Sequence, residues 1–108
     1  MTAEEQEARR MQALLTEALH DIEDPEVGVN IVDLGLVREV AWDEAPARAR
    51  VSMTLTSASC PAGALLIDGV RRRLSLVPGV RAVDVEVELD PPWDPADVTD
   101  AGRALLGG

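Results

Sequence analysis

Cys60 is the only cysteine of the chain, and it stands in the run TSASCP of residues 56–61. The residues before it alternate as a strand does and those after it have helical spacing, so a strand–helix junction is predicted here. The free amides of a helix N-terminus favour a thiolate. One cysteine can form no intrachain disulfide and cannot alone hold a structural metal. The pattern therefore favours a reactive or partner-dependent thiol, with a small buried apolar cysteine as the alternative.

Two carboxylates, Asp24 and Glu26, flank Pro25 in a predicted loop, and Asp33 follows close behind. Loop carboxylates bind hard cations, act as acid–base pairs or cap helices. Most such side chains in an acidic chain are simply solvated, and the spacing alone favours that interpretation. His20, the only histidine, allows a Cys–His pair, although a histidine at a helix end more often interacts with the helix dipole.

Three further features each allow two interpretations. Trp93 lies in a proline-rich corner and is predicted to be a rigid plug over the sheet edge or the second helix. Its alternatives are an apolar wall beside Cys60 or a dimer contact. The three arginines at 71–73 form either a solvated face or a docking site for an acidic partner. The Gly-Gly pair at 107–108 is similar to the tail of ubiquitin-like sulfur carriers, but a helix C-cap is the favoured interpretation.

The composition argues against several classes of partner. Twenty acidic and ten basic residues give a formal net charge of −10, whereas binding to nucleic acid or to an anionic membrane surface needs a basic patch. No stretch approaches the roughly 20 apolar residues that span a bilayer. The first residues lack the apolar run of a signal peptide, which together with a lone free thiol predicts a cytoplasmic protein. Hydrophobic residues make up 46% of the chain without Phe or Tyr, so an aliphatic core is predicted.

Periodicity predicts a single α+β domain over residues 1–108, with elements in the order α-β-β-α-β-α. Helices are predicted at 3–22, 61–77 and 100–106, and strands at 36–42, 47–56 and 83–89. Thr2 and Glu5 have capping-box spacing, and Thr54 is assigned to the polar face of its strand. Helices are expected to cover one face of a small, mainly antiparallel sheet. Residues 1–10 are predicted to fray, and residues 91–108 to form a Pro-Pro-Trp corner and a short helix.

Five motifs occur together in a recognisable order: Asp24-Pro25-Glu26, Asn30–Val37, Met53–Thr56, Cys60-Pro61 and Asp90–Trp93. Together they resemble the MIP18 family, also called the DUF59 or PaaD/SufT-like family, over most of the chain. The resemblance implies a compact domain of the iron–sulfur cluster assembly fold, often dimeric, that acts in metal–sulfur cluster maturation or delivery. The PaaD branch carries an additional cysteine-rich C-terminal segment. This sequence lacks that segment and is more similar to the short SufT-type factors.

The resemblance also implies a site. The family's reactive cysteine falls on Cys60, its acidic loop on Asp24 and Glu26, and its polar residues ahead of the cysteine on Thr56 and Ser57. Cys60 would then be a labile ligand of a transient iron–sulfur cluster. One thiolate per chain, or two in a homodimer, leaves such a cluster under-ligated, which suits transfer. The implied partners are client apoproteins and other cluster-assembly proteins, and no enzymatic activity is expected.

Two alternatives stay open at this point. A cysteine-dependent enzyme would use Cys60 as its nucleophile, with a carboxylate or His20 as partner, and would turn over without iron. A non-catalytic adaptor would use Cys60 for packing alone and recruit partners through its acidic surface. Whether the loop around Asp24 approaches the thiol in space separates these hypotheses.

Overall fold

The computed structural model of the protein describes residues 1–57 and 62–107. Within these ranges the elements are α1 (Ala3–Leu19), β1 (Val37–Asp43), β2 (Arg48–Met53), α2 (Gly63–Ser75), β3 (Ala82–Val87), a 3₁₀ turn (Pro95–Asp97) and α3 (Asp100–Leu105). The predicted α+β class and element order are confirmed. Cys60, the centre of the predicted site, lies outside the described residues.

The three strands form one mixed sheet in the order β1-β2-β3. β1 and β2 pair antiparallel, with a register irregularity between Val37 and Glu39. β2 and β3 pair parallel, from Arg48 opposite Ala82 to Met53 opposite Val87. The predicted antiparallel pairing therefore applies to one of the two strand pairs. The other pair is parallel because α2 carries the chain back along the sheet before β3 begins.

α1 and α2 pack against the sheet over an aliphatic core, as predicted. Its largest fully buried members come from both helices, from β2 and from the loop between α1 and β1: Met11, Leu15, Leu19, Ile31, Leu34, Leu36, Val51, Met53, Val70 and Leu74. Trp42 and Trp93 lie half-buried at the margin of this core. Leu14, on α1, is an apolar residue outside this core and is exposed.

α1 begins as predicted and ends earlier. The Thr2 hydroxyl oxygen accepts a hydrogen bond from the Glu5 amide at 3.1 Å, which caps the start of the helix. The helix ends at Leu19 rather than Ile22, because the Ile22 carbonyl leaves the helix and accepts the Ile31 amide at 2.9 Å. That turn leads the chain into the α1–β1 loop, residues 20–36, which contains the predicted acidic site.

The second face of the sheet is charged. Asp84 and Glu86 are exposed along β3 as its alternation predicts, and Glu39 is exposed on β1. Arg50, on β2, binds Asp43 through an Nε–Oδ2 contact of 2.7 Å. In the ranges that the structure describes, no helix combines the length and the apolar character needed to cross a membrane.

Candidate functional site

Asp24 is only 1% exposed, although it lies in a loop. Its Oδ1 accepts a hydrogen bond from the Glu26 amide at 2.8 Å, whereas its Oδ2 is buried and has no hydrogen-bond partner among the residues that the structure describes. The backbone around it is well paired, since the Asp24 amide donates to the Val29 carbonyl at 3.0 Å and its carbonyl accepts the Gly28 amide at 2.7 Å. Burying an unpaired carboxylate oxygen destabilises a fold. The loop therefore holds Asp24 in a position that stability alone does not favour.

Thr54 is the second buried residue with an unpaired polar atom. It is fully buried, and within residues 1–57 and 62–107 its Oγ1 has no hydrogen-bond partner, although its amide donates to the Leu36 carbonyl at 2.8 Å. The sequence predicts Thr54 on the polar face of its strand, whereas it follows Met53, the last residue of β2, and is fully buried. Glu26, in contrast, is exposed. Only one of the two predicted loop carboxylates therefore lies in the interior.

Backbone hydrogen bonds join the α1–β1 loop to the end of β2. The Ile31 amide donates to Ile22 at 2.9 Å, the Leu36 amide donates to Ile31 at 3.0 Å, and the Thr54 amide donates to Leu36. These bonds fix the loop beside the point at which the chain leaves β2 toward Cys60. Thr56 and Ser57, two of the predicted site residues, follow the end of β2. Thr56 is half-buried and Ser57 is exposed.

The described residues on the two sides of Cys60 are packed against each other. A Cβ at Gly63, the first residue of α2, would lie 2.9 Å from Leu55 Cδ1, so the backbone of α2 packs closely against the Leu55 side chain. Ala62, at the N-cap of α2, has no side-chain acceptor for the amides of the first turn. β2 ends at Met53 rather than Thr56 and α2 begins at Gly63 rather than residue 61, and the predicted junction at Cys60 itself lies outside the described residues.

Asp33 belongs to a hydrogen-bond network separate from that of Asp24. Its carboxylate accepts Asn30 Nδ2 at 2.7 Å and the Thr99 hydroxyl at 2.8 Å. The bond from Asn30, followed by that from Thr99, lowers the pKa of the Asp33 carboxyl below its ordinary value, because both bonds favour the ionised form. Asp33 therefore holds the chain after β3 against the α1–β1 loop, a role that its spacing in the sequence did not indicate.

We expect the contribution of Asp33 to stability to depend on pH. A carboxyl whose pKa falls on folding stabilises the fold above its unfolded pKa, and this stabilisation is lost as pH falls through the folded value. The free energy of unfolding of Asp33→Asn should lie below that of wild type near pH 7, and the two should converge below about pH 4. Urea unfolding at a series of pH values measures this difference. A difference independent of pH would contradict the role of the ionised carboxylate.

The C-terminal arm, residues 91–107, packs onto the α1–β1 loop. Trp93 Nε1 donates to the Leu34 carbonyl at 2.7 Å, and the Thr99 amide donates to the Asp33 carbonyl at 2.8 Å. The Trp93 ring is half-buried against the core, and its hydrogen bond is to the α1–β1 loop rather than to the sheet edge or to α2, over which the plug was predicted. The hydrogen bond places this plug on the loop that contains the acidic residues.

His20 lies at the end of α1, as predicted. It is exposed, and its Nδ1 lies 3.0 Å from the Thr16 carbonyl oxygen, which is an interaction at a helix end. Among the described residues, no three His, Cys, Asp or Glu side chains converge to hold a metal ion. That part of the chain therefore does not supply a complete ligand set for a cluster.

The chain matches known proteins over most of its length. A family model described as iron–sulfur cluster assembly protein matches residues 12–87. The Fe-S protein maturation auxiliary factor YitW of Bacillus subtilis is 38% identical over 90 residues, which cover 83% of this chain and 87% of that protein. The Fe-S protein maturation auxiliary factor SufT of Staphylococcus aureus is 38% identical over 84 residues, covering 78% and 94%.

A solved structure has the same fold. A DUF59 domain of unknown function from Bacillus anthracis superposes with a TM-score of 0.89 at 35% identity, covering 94% of this chain and 96% of that one. The two named relatives are maturation factors rather than enzymes, which confirms the expectation of a non-enzymatic protein.

Proposed function

The chain belongs to the iron–sulfur cluster assembly protein family, and we propose on that basis that it delivers iron–sulfur clusters to client apoproteins in the cytoplasm. The cluster is its cargo, and the clients and other assembly proteins are its partners. The maturation roles named for the relatives support this proposal.

Cys60 is, in this proposal, the ligand that holds the cargo. Iron–sulfur clusters usually take four protein thiolates, and this chain has one. α2 begins three residues after Cys60 in the sequence, and the amides of a helix N-terminus favour a nearby thiolate. A cluster bound through so few ligands is released readily to a client that offers more.

The buried free oxygen of Asp24 is the observation that carries the proposal. If the Asp24 carboxylate only stabilised the loop, Oδ1 alone would be sufficient, because Oδ1 accepts the hydrogen bond from the Glu26 amide. Oδ2 remains available as a hard oxygen ligand or as a proton acceptor, in a loop bonded to the end of β2. Occupation of this oxygen would remove the energetic penalty of the free state. Glu26, Thr56 and Ser57 are proposed to line the approach to this position.

Asp24→Asn tests the proposed role of this oxygen. The asparagine can keep the hydrogen bond from the Glu26 amide, but it loses the charge. We expect wild type, reconstituted anaerobically with iron and sulfide, to load a cluster and transfer it to an apo-ferredoxin. In the variant we expect loading or transfer to fall at least about tenfold. Its free energy of unfolding should stay within about 1 kcal/mol of wild type, because the hydrogen bond from the Glu26 amide is kept and one unpaired polar group replaces another.

Glu23→Gln is the matched control, since it makes the same change at an exposed carboxylate of the same loop. It should load and transfer as wild type does. An Asp24→Asn protein that unfolds more easily but loads normally would assign Asp24 a purely structural role. A wild-type protein that neither loads nor transfers a cluster would contradict delivery and favour the adaptor hypothesis.

A further inference from the structure

Residues of the C-terminal arm line an apolar pocket. It has a volume of about 300 Å³ and is lined by five described residues: Trp93, Pro95, Val98, Arg103 and Leu106. Four of these five side chains are apolar, and Val98 is buried at 7% exposure. A volume of this size lies at the lower end of the range for ligand pockets. This arm pocket therefore suits one large side chain rather than a whole cofactor.

The walls of the arm pocket are held in place before any partner binds. The Trp93 ring packs against the core, and its Nε1 donates to the Leu34 carbonyl at 2.7 Å. The start of α3 is fixed by the Thr99 amide, which donates to the Asp33 carbonyl at 2.8 Å. A surface that is already ordered loses little conformational entropy on binding. Tryptophan and arginine, which both line this pocket, are also enriched at the energetically dominant positions of protein interfaces.

The arm pocket is open to solvent on one side. Leu106 is 48% exposed, and Pro95 and Arg103 are exposed as well. A small molecule bound here would keep much of its surface in water, whereas bound small molecules usually bury most of theirs. A segment of a protein would cover the exposed margin together with the pocket. The openness therefore favours a protein segment as the occupant.

Arg103 is the one charged residue among the five that line the arm pocket. Within the ranges that the structure describes, no acidic side chain forms an ion pair with it. The Asp94 and Asp97 carboxylates of the preceding 3₁₀ turn accept backbone amides at 2.8 and 3.1 Å, and Asp100 lies in the first turn of α3. The guanidinium is therefore available to a carboxylate of a partner, which it can bind through two parallel hydrogen bonds.

We propose that the arm pocket is a docking site for a segment of a partner protein in which a large apolar side chain lies beside an aspartate or glutamate. The apolar side chain contacts Trp93, Val98 and Leu106, and the carboxylate binds Arg103 at the margin. This inference rests on the arm and not on cluster delivery. Because the arm is hydrogen-bonded to the α1–β1 loop, the docked partner is attached through it to the loop that contains Asp24.

Selection of peptides displayed on phage tests the chemistry of the occupant. Random nine-residue peptides are selected on the metal-free wild type, after removal of those that bind Leu106→Glu, which places a charge in the pocket. The enriched peptides should contain a large apolar residue next to an Asp or Glu. Enrichment of basic peptides, of apolar peptides without an acidic residue, or of no peptide at all would overturn the proposal.

Calorimetric titration of an enriched peptide tests the two contacts separately. Leu106→Glu should abolish binding. Leu105→Glu makes the same change at the adjacent residue, which is 64% exposed and outside the pocket lining, and should bind as wild type does. Arg103→Gln should raise the dissociation constant at least about tenfold, because a charge-assisted hydrogen bond is lost. Arg9→Gln removes the same charge from an exposed position on α1 and should leave binding unchanged.

Circular dichroism and urea unfolding establish that each variant is folded. If Leu106→Glu unfolds, the comparison of Arg103→Gln with Arg9→Gln decides the proposal alone. Unchanged binding by Arg103→Gln would contradict the proposal, and so would an equal loss of binding in Leu105→Glu and Leu106→Glu. No cluster is present in these measurements, so their failure is distinguishable from a failure of cluster delivery.

Discussion

Replacing Cys60 with serine is expected to abolish cluster loading and transfer. Serine has nearly the size of cysteine and keeps a hydrogen-bonding group, but it lacks the thiolate that binds iron. The variant should therefore gain neither iron nor visible absorption when it is reconstituted anaerobically with iron and sulfide. An apo-ferredoxin added afterwards should stay without a cluster. Iron content, absorption and ferredoxin loading measure the three steps separately.

The outcomes separate the hypotheses that the sequence left open. Loss of loading with an unchanged free energy of unfolding supports Cys60 as the ligand. A variant that loads and transfers like wild type would contradict this role and favour an adaptor in which Cys60 only packs. A thiol enzyme would instead be identified by wild-type protein that traps a small electrophile on Cys60 and turns over without iron.

Gly102→Ala is expected to destabilise the fold by about 1–3 kcal/mol, because the added methyl group has no room. A Cβ at Gly102 would lie 2.6 Å from the Asp33 carbonyl oxygen and 2.8 Å from Val98 Cγ1. The carbonyl belongs to the backbone of the α1–β1 loop, which the core holds in place. α3 must therefore shift away and weaken the hydrogen bonds between Thr99 and Asp33.

Gly69→Ala is the matched control, since it makes the identical change at a second helical glycine. Its Cβ has room, so the free energy of unfolding should stay unchanged or rise by up to about 1 kcal/mol. Urea unfolding at low protein concentration measures both variants. Hydrogen exchange should also show faster exchange of the α3 amides in Gly102→Ala alone. Equal, stabilising effects of the two alanines would mean that helix propensity dominates and that the arm is not closely packed.

The elements with local signals could be predicted from the sequence. Thr2 marked the start of α1, the alternation of Asp84 and Glu86 with valines marked β3, and Thr99 marked the start of α3. Each signal involves residues within one or two turns of each other. The end of α1 was placed too late because the apolar character of Ile22 suits a helix and an inward-facing loop residue equally well.

The features set by distant residues could not be predicted. The alternation of β3 is the same whether its partner strand runs parallel or antiparallel, so the sheet's mixed topology had no local signal. Asp24 and Glu26 are both loop carboxylates, and only the folded loop distinguishes the buried one from the exposed one. The hydrogen bond between Asp33 and Thr99 joins residues 66 positions apart, and no local pattern pairs them.

The two tryptophans lie where they can report optically on different parts of the molecule. With no tyrosine in the chain, its near-ultraviolet fluorescence comes from Trp42 and Trp93 alone. The Trp42 indole donates to Glu44 Oε2 at 2.8 Å beside the β1–β2 turn, whereas the Trp93 indole donates to the Leu34 carbonyl beneath the C-terminal arm. In a Trp42→Phe variant, Trp93 would be the single tryptophan, at the contact between the C-terminal arm and Leu34. Its emission would then distinguish release of the arm from unfolding of the core.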